Sequence, residues 1–219
     1  MVNVAVTNRA DQLRDLALSY APRGTLAGVK ALFSLDATLG RILRTTSEPM
    51  VGQMRLAWWR EALVRLDVTP SPAEPVLESL ARDALPLGAT GVALSRMTDG
   101  WEVLLSDLDD DALAAHAAER GALLFAFAGS MIGADAGDPL DAAGRGWALA
   151  DLSANIGDVK VAKRARLMAN QAFGEIVGKR WSRRGRALGA LALAARLALE
   201  GPPKPWWVTR LGWHRISGR

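Results

Sequence analysis

The stretch Leu32–Leu43, LFSLDATLGRIL, constrains the fold most, because its apolar residues recur every three or four positions. At about 100° per residue, Val29, Leu32, Phe33, Leu35, Leu39, Gly40, Ile42 and Leu43 sweep out one arc, and Lys30, Ser34 and Arg41 take the opposite side. That pattern is a helix with one face turned to a core. Asp36 falls near the centre of that face. Burying an unpaired carboxylate costs several kcal/mol, so Asp36 requires a counter-charge, a proton or a polar cavity.

The following helix is announced by Ser47-Glu48-Pro49, with Ser47 suited to the N-cap and Pro49 to the first turn. Its wheel sets Arg55 between Val51, Ala62 and Leu66, with Trp59 nearby, whereas Gln53 and Arg60 point elsewhere. Two successive helices thus turn opposite charges towards apolar neighbours, and the expectation is an Asp36–Arg55 pair in the interior or at a cavity mouth. Such a pair fixes helix register or marks an anion site, and both meanings stand open.

Helical periodicity continues along the chain, with helices expected over 9–20, 25–45, 48–67, 75–85, 89–106, 110–133, 139–157, 160–179 and 182–200. Pro/Gly-rich loops at 69–75, 134–140 and 201–205 separate them, and neither an alternating strand nor an internal repeat interrupts the pattern. Asp109–Asp111 read as an N-cap cluster; a calcium loop is disfavoured, because the glycine and terminal glutamate of that motif are missing. The expected architecture is all-α, a single helical domain over 1–200 followed by a basic, Trp-rich tail over 201–219.

Several function classes are excluded early. The chain has no cysteine, which removes disulfides, thiolate nucleophiles and cysteine-based zinc sites, and its two histidines, His116 and His214, lie far apart. No dinucleotide fingerprint or nucleophile elbow is present. The opening MVNVAVTNRADQLRD turns polar too soon for a secretory signal, and the apolar run Ala187–Leu199 is too short to span a bilayer. The expected location is cytoplasmic, peripheral at the inner membrane.

Charge is unevenly spread. Lys160–Arg219 carries 14 Lys and Arg against 2 Asp and Glu, whereas the preceding residues carry 13 against 21. The C-terminal part therefore meets something anionic: phospholipid, diphosphate, nucleic acid or the acidic front half itself. Trp206, Trp207 and Trp213 stand among Lys204, Arg210, His214 and Arg215, which suits an anionic membrane surface or a tail docked on the protein's own body. The wheel for 206–216 mixes the two residue types. Gly178–Arg186, GKRWSRRGR, combines cations with an aromatic, but no nucleic-acid module accompanies it and a nucleic-acid partner is not expected.

The pattern ALFSLDATLGRIL, then SEPMVGQMRLAWWREAL, resembles the squalene/phytoene synthase family of all-α head-to-head prenyl transferases. It looks most like the divergent branch that includes the mitochondrial complex I assembly factors and bacterial relatives, with their Phe-Asn/Asp-x-x-Leu, Ser-Glu-Pro and Met-Arg-Leu-x-Trp-Trp pattern. The likeness is specific over residues 25–65, collinear to residue 180 and absent from the tail. It implies an isoprenoid-synthase-like helical bundle. It also implies Mg²⁺ held by two Asp-rich motifs, since hard carboxylate oxygens suit that ion. The first motif aligns with GRILR, so its acids fall on Gly40, Arg41 and Arg44, none of which ligates Mg²⁺; Arg44 is left to meet a phosphate directly. The second aligns with ANIGDVKVAK, where Asn155, Ile156 and Asp158 match and Ala162 replaces the last acid.

Asp151, Asn155 and Asp158 recur at i, i+4 and i+7, which makes Asp151 and Asp158 the candidate metal ligands on one helix face. Asp36, Arg44, Arg55, Trp58, Trp59 and Asn155 form the candidate pocket or anion site, with Trp58 and Trp59 otherwise in core packing. The leading expectation is a protein without the family's reaction or a cofactor, acting in assembly at a membrane surface with respiratory complex I subunits as partners. One alternative is a prenyl diphosphate-using transferase in isoprenoid biosynthesis with Mg²⁺ as its cofactor. Another is a prenyl-lipid-binding protein.

Overall fold

The computed structural model describes residues 13–202 and 204–219. The N-terminal part of the helix expected over 9–20 lies outside them; residues 13–18 are helical. No strand occurs among the described residues, and the chain forms a helical bundle.

The elements follow the apolar periodicity closely. Helix α1 spans Leu26–Arg44 and buries the expected arc, Val29, Leu32, Phe33, Leu35, Leu39 and Ile42, together with Asp36. Helix α2, Pro49–Arg65, starts at Pro49 as expected, but its N-cap is Glu48 rather than Ser47 and no side chain caps it. Helix α3, Pro75–Ser79, is capped by the Glu74 carboxylate, which accepts from the amides of Val76 and Leu77. It runs on into a π turn, Leu80–Ala84, and then a 3₁₀ turn, Leu85–Leu87. Two short helices follow, α4 at Gly91–Ser95 and α5 at Met97–Glu102.

The expected helix over 110–133 is α6, Asp110–His116, joined without a break to α7, Leu123–Ile132, through a second π turn at Ala117–Ala122. Asp109 caps α6 by accepting from the Ala112 amide at 2.8 Å, as the aspartate cluster foretold. Helices α8, Leu140–Asn155, and α9, Val159–Glu175, form a hairpin, and α10 is Arg186–Glu200. The tail holds a further helix that its mixed periodicity concealed, α11 at Trp206–Ser217.

Helix α8 occupies the middle, packed on the second π turn, α7, α9 and α10. Its buried face is built largely from small residues, Ala142, Ala143, Gly144, Gly146, Ala148 and Ala150. Small side chains let backbones approach: a Cβ on Gly121 would collide with the Gly144 carbonyl, and one on Gly144 with that of Gly121. The second π turn is thereby held directly against α8. Among the described residues, no helix is long and apolar enough to cross a membrane.

Candidate functional site

Asp36 is buried, 4% exposed, and it does not meet Arg55. Arg55 is exposed at the outer side of α2, where its Nη1 donates to Thr46 Oγ1 at 3.2 Å. The expected pair is thus corrected: the counter-charge of Asp36 is Arg120, in the second π turn. Arg120 Nε donates to Asp36 Oδ1 at 2.8 Å and Nη2 to Oδ2 at 3.0 Å, the bidentate fork that suits a carboxylate. Trp101 Nε1 donates to Asp36 Oδ1 at 3.1 Å.

The same guanidinium reaches a second acid. Arg120 Nη2 lies 2.7 Å from Asp151 Oδ2 on α8. The guanidinium carbon also lies over two indole rings, 4.1 Å from the Trp101 ring centre and 4.7 Å from that of Trp147. Trp147 is held in turn by edge contact with Phe33 at 5.7 Å and by Phe125 at 5.9 Å. Burial alone lowers the basicity of Arg120, but the charges of Asp36 and Asp151 outweigh it and hold the group firmly protonated.

His116 completes the centre one helical turn earlier. Its Nδ1 lies 2.5 Å from the Gly100 carbonyl and its Nε2 3.4 Å from Arg120 Nη1. A neutral ring with the proton on Nδ1 satisfies both, donating to the carbonyl and accepting from the guanidinium. Burial is the main cause that pushes its pKa down to about 3, and the Arg120 charge adds to it; the Gly100 bond and Asp151 oppose it. With His116 neutral, one guanidinium faces two carboxylates. Asp151, whose side chain is 36% exposed, carries the excess negative charge towards solvent.

The other expected site residues scatter. Asn155 does meet Asp151, its Nδ2 donating to Oδ1 at 3.0 Å and to the Asp151 carbonyl at 2.8 Å. Asp158 does not join them. Helix α8 ends at Asn155, and Asp158 instead caps α9 by accepting from the amides of Lys160 and Val161 at 2.7 and 3.0 Å. Those amide bonds hold its pKa below the usual carboxylate value. The single face expected for Asp151, Asn155 and Asp158 is therefore broken by the turn at 156–157.

Asp158 lines a separate open cleft of about 620 Å³ with Asp107, Lys160 and Arg164. Arg44 is exposed at the end of α1, and Gly40 fits tightly under Trp101, 2.6 Å from where a Cβ would stand. Trp59 is buried, and Trp58, half exposed, packs edge-on against it at 5.4 Å.

Among the described residues, no three metal-ligating side chains converge. The two carboxylates that do meet, Asp36 and Asp151, already share a guanidinium, so this centre does not fit the Mg²⁺ cluster that the resemblance implies. Arg120, His116, Trp101 and Trp147 escaped the sequence reading. The signal available was an i, i+4 polar pair, His116 and Arg120, in a run otherwise rich in alanine. Comparison with protein-family models, with curated proteins and with solved structures found no match.

Proposed function

We propose that this chain is a non-catalytic, squalene/phytoene synthase-like protein that acts in assembly or interaction at a membrane surface, with respiratory complex I subunits as its partners. The observation that carries the non-catalytic part is the Arg120 guanidinium, set over the rings of Trp101 and Trp147 and bound to Asp36 and Asp151. A prenyl transferase of this type needs an open, acid-lined space in which metal ions grip a diphosphate. Here a fixed cation takes the oxygens that such ions would bind, and aromatic rings take the space beside it. A scaffold of this kind offers its surface to partners. The partner assignment draws on the resemblance over residues 25–65.

The purified chain incubated with farnesyl or geranylgeranyl diphosphate and Mg²⁺ is expected to give no condensation product. Product formation that disappears in Asp151→Asn would overturn the non-catalytic reading. Deletion of the protein is expected to lower the amount of assembled complex I. Unchanged complex I, together with a pull-down that recovers none of its subunits, would remove the partner assignment.

A further inference from the structure

The acidic front half takes up little of the charge of the C-terminal part, meeting it in an ion pair at Arg164, whose Nη1 lies 3.2 Å from Asp110 Oδ1. Beyond Arg164, no cation among the described residues lies within 4.0 Å of a carboxylate. Arg180, Arg183, Arg184, Arg210 and Arg219 are exposed and have no such carboxylate partner. Arg215 lies over the ring of Tyr20, 5.0 Å from its centre, again without an acid.

These cations belong to one surface. The loop 179–185 is anchored from below by Asp138, which accepts from the Ser182 amide at 2.7 Å and from Ser182 Oγ at 2.6 Å. The end of α11 is tied to the same loop: the Trp181 amide donates to the Gly218 carbonyl at 2.8 Å. Arg186 Nη1 donates to the carbonyls of Arg215 and Ile216 at 2.9 and 3.0 Å. His214 packs edge-on to Trp181 with ring centres 6.4 Å apart. Helix α11 thus docks through Trp207, Leu211 and His214, all buried.

Docking on that side leaves the opposite arc bare. Trp206, Trp213 and Ile216 fall within about 80° of one another on the wheel, and they are 43%, 62% and 73% exposed. Arg210 borders that arc, and the arginines of the anchored loop stand beside the end of the helix. The mixed wheel of the sequence is resolved by the fold: one side of α11 packs, and the other presents indoles flanked by cations.

We propose that this face, α11 together with the loop 179–185, docks on an anionic phospholipid surface. Indole rings settle at the boundary between headgroups and acyl chains, and unpaired guanidinium groups bind headgroup phosphates. Charge complementarity selects the occupant: Asp135 and Asp138 line the cleft at the loop with Arg180, Arg183 and Arg186 but form no ion pair with them within 4.0 Å, and an anionic surface supplies the partners that these arginines and Arg210 lack. The assignment rests on the membrane-surface part of the proposed function and is independent of its non-catalytic part, which the diphosphate assay addresses separately.

The test is co-sedimentation of the full chain with vesicles of phosphatidylcholine alone, or of two parts phosphatidylcholine to one part phosphatidylglycerol. Binding to the anionic vesicles is expected, with a blue shift of tryptophan emission and weakening by salt, and none to the neutral ones. Arg183→Gln/Arg210→Gln should lower the affinity about fivefold for each cation removed. Trp213→Ala/Ile216→Ser should diminish both binding and blue shift. Both variants alter exposed side chains, and unchanged helical circular dichroism confirms that they fold. Absence of binding to the anionic vesicles at low salt would overturn the proposal, as would binding that neither variant weakens. Tight binding to an RNA oligonucleotide with none to vesicles would reassign the face to nucleic acid.

Discussion

Arg120 and Arg183 are the same side chain under opposite conditions. Arg120 is enclosed, forked onto Asp36, bridged to Asp151 and set over two indole rings. Arg183 stands in solvent on an anchored loop with no carboxylate partner. The interior tolerates charge only where each group is met by another, because an unmatched ion there has lost its water. The C-terminal face is under no such compulsion. Its unmatched cations cost little while hydrated, and they remain free to act on something outside the chain.

The difference can be broken most forcefully at the centre. Arg120→Met leaves Asp36 buried without its partner and should lower stability by about 3–5 kcal/mol, read from denaturant unfolding. The double variant Asp36→Leu/Arg120→Met should recover much of that loss, because no fully buried ion is then left without a partner and Asp151, 36% exposed, keeps its access to water. A single variant as stable as the parent would show that the pair does not belong to a dry interior.

The next effect is on pH dependence. His116 has an ordinary value of 6.5 when unfolded and is pushed down to about 3 when folded. Between those values the unfolded chain binds more protons, so stability is complete above the unfolded pKa and falls as pH drops towards the folded one. The slope from this one group is about 1.4 kcal/mol per pH unit. Burial also lowers His214, which adds loss in the same direction. Unfolding of His116→Gln followed from neutral to acid pH should show the shallower slope; an unchanged slope would mean that the ring is not buried neutral.

A smaller effect concerns the backbone crossing that holds the centre. Gly121→Ala places a methyl group against the Gly144 carbonyl and should cost about 1–3 kcal/mol by thermal or denaturant unfolding. Smallest of all, Arg183→Gln and Arg210→Gln should change stability by less than about 0.5 kcal/mol, since neither side chain has a structural partner to lose. A large loss at either would turn the C-terminal face into part of the fold's own support.

Much of the fold could be read from the order of residues, and the reasons are local. The apolar arc of α1 is written within about four turns of one helix, and the cap at Asp109 within a single turn. Asp36 also announced its own anomaly, since a carboxylate amid leucines requires an answer wherever that answer lies. The answer itself was not local. Arg120 is 84 positions away, and a π turn there widens the helix beyond the spacing on which a regular wheel relies. Arg55 looked suitable because the wheel of α2 is apolar on more than one side, and apolar neighbours do not by themselves mark the inner face. Asp158 was misplaced for the opposite reason: a spacing of i, i+7 has meaning only while the helix lasts, and α8 ends three residues earlier.

The contact of Gly121 with Gly144 carries one more consequence. Two backbones with no side chain between them have no soft layer through which to part, so the second π turn and α8 separate only when much of the bundle does. Amide protons flanking this crossing should therefore be the last to trade with deuterium from the solvent, long after those at 13–18 or along the outer turn of α11 have been replaced.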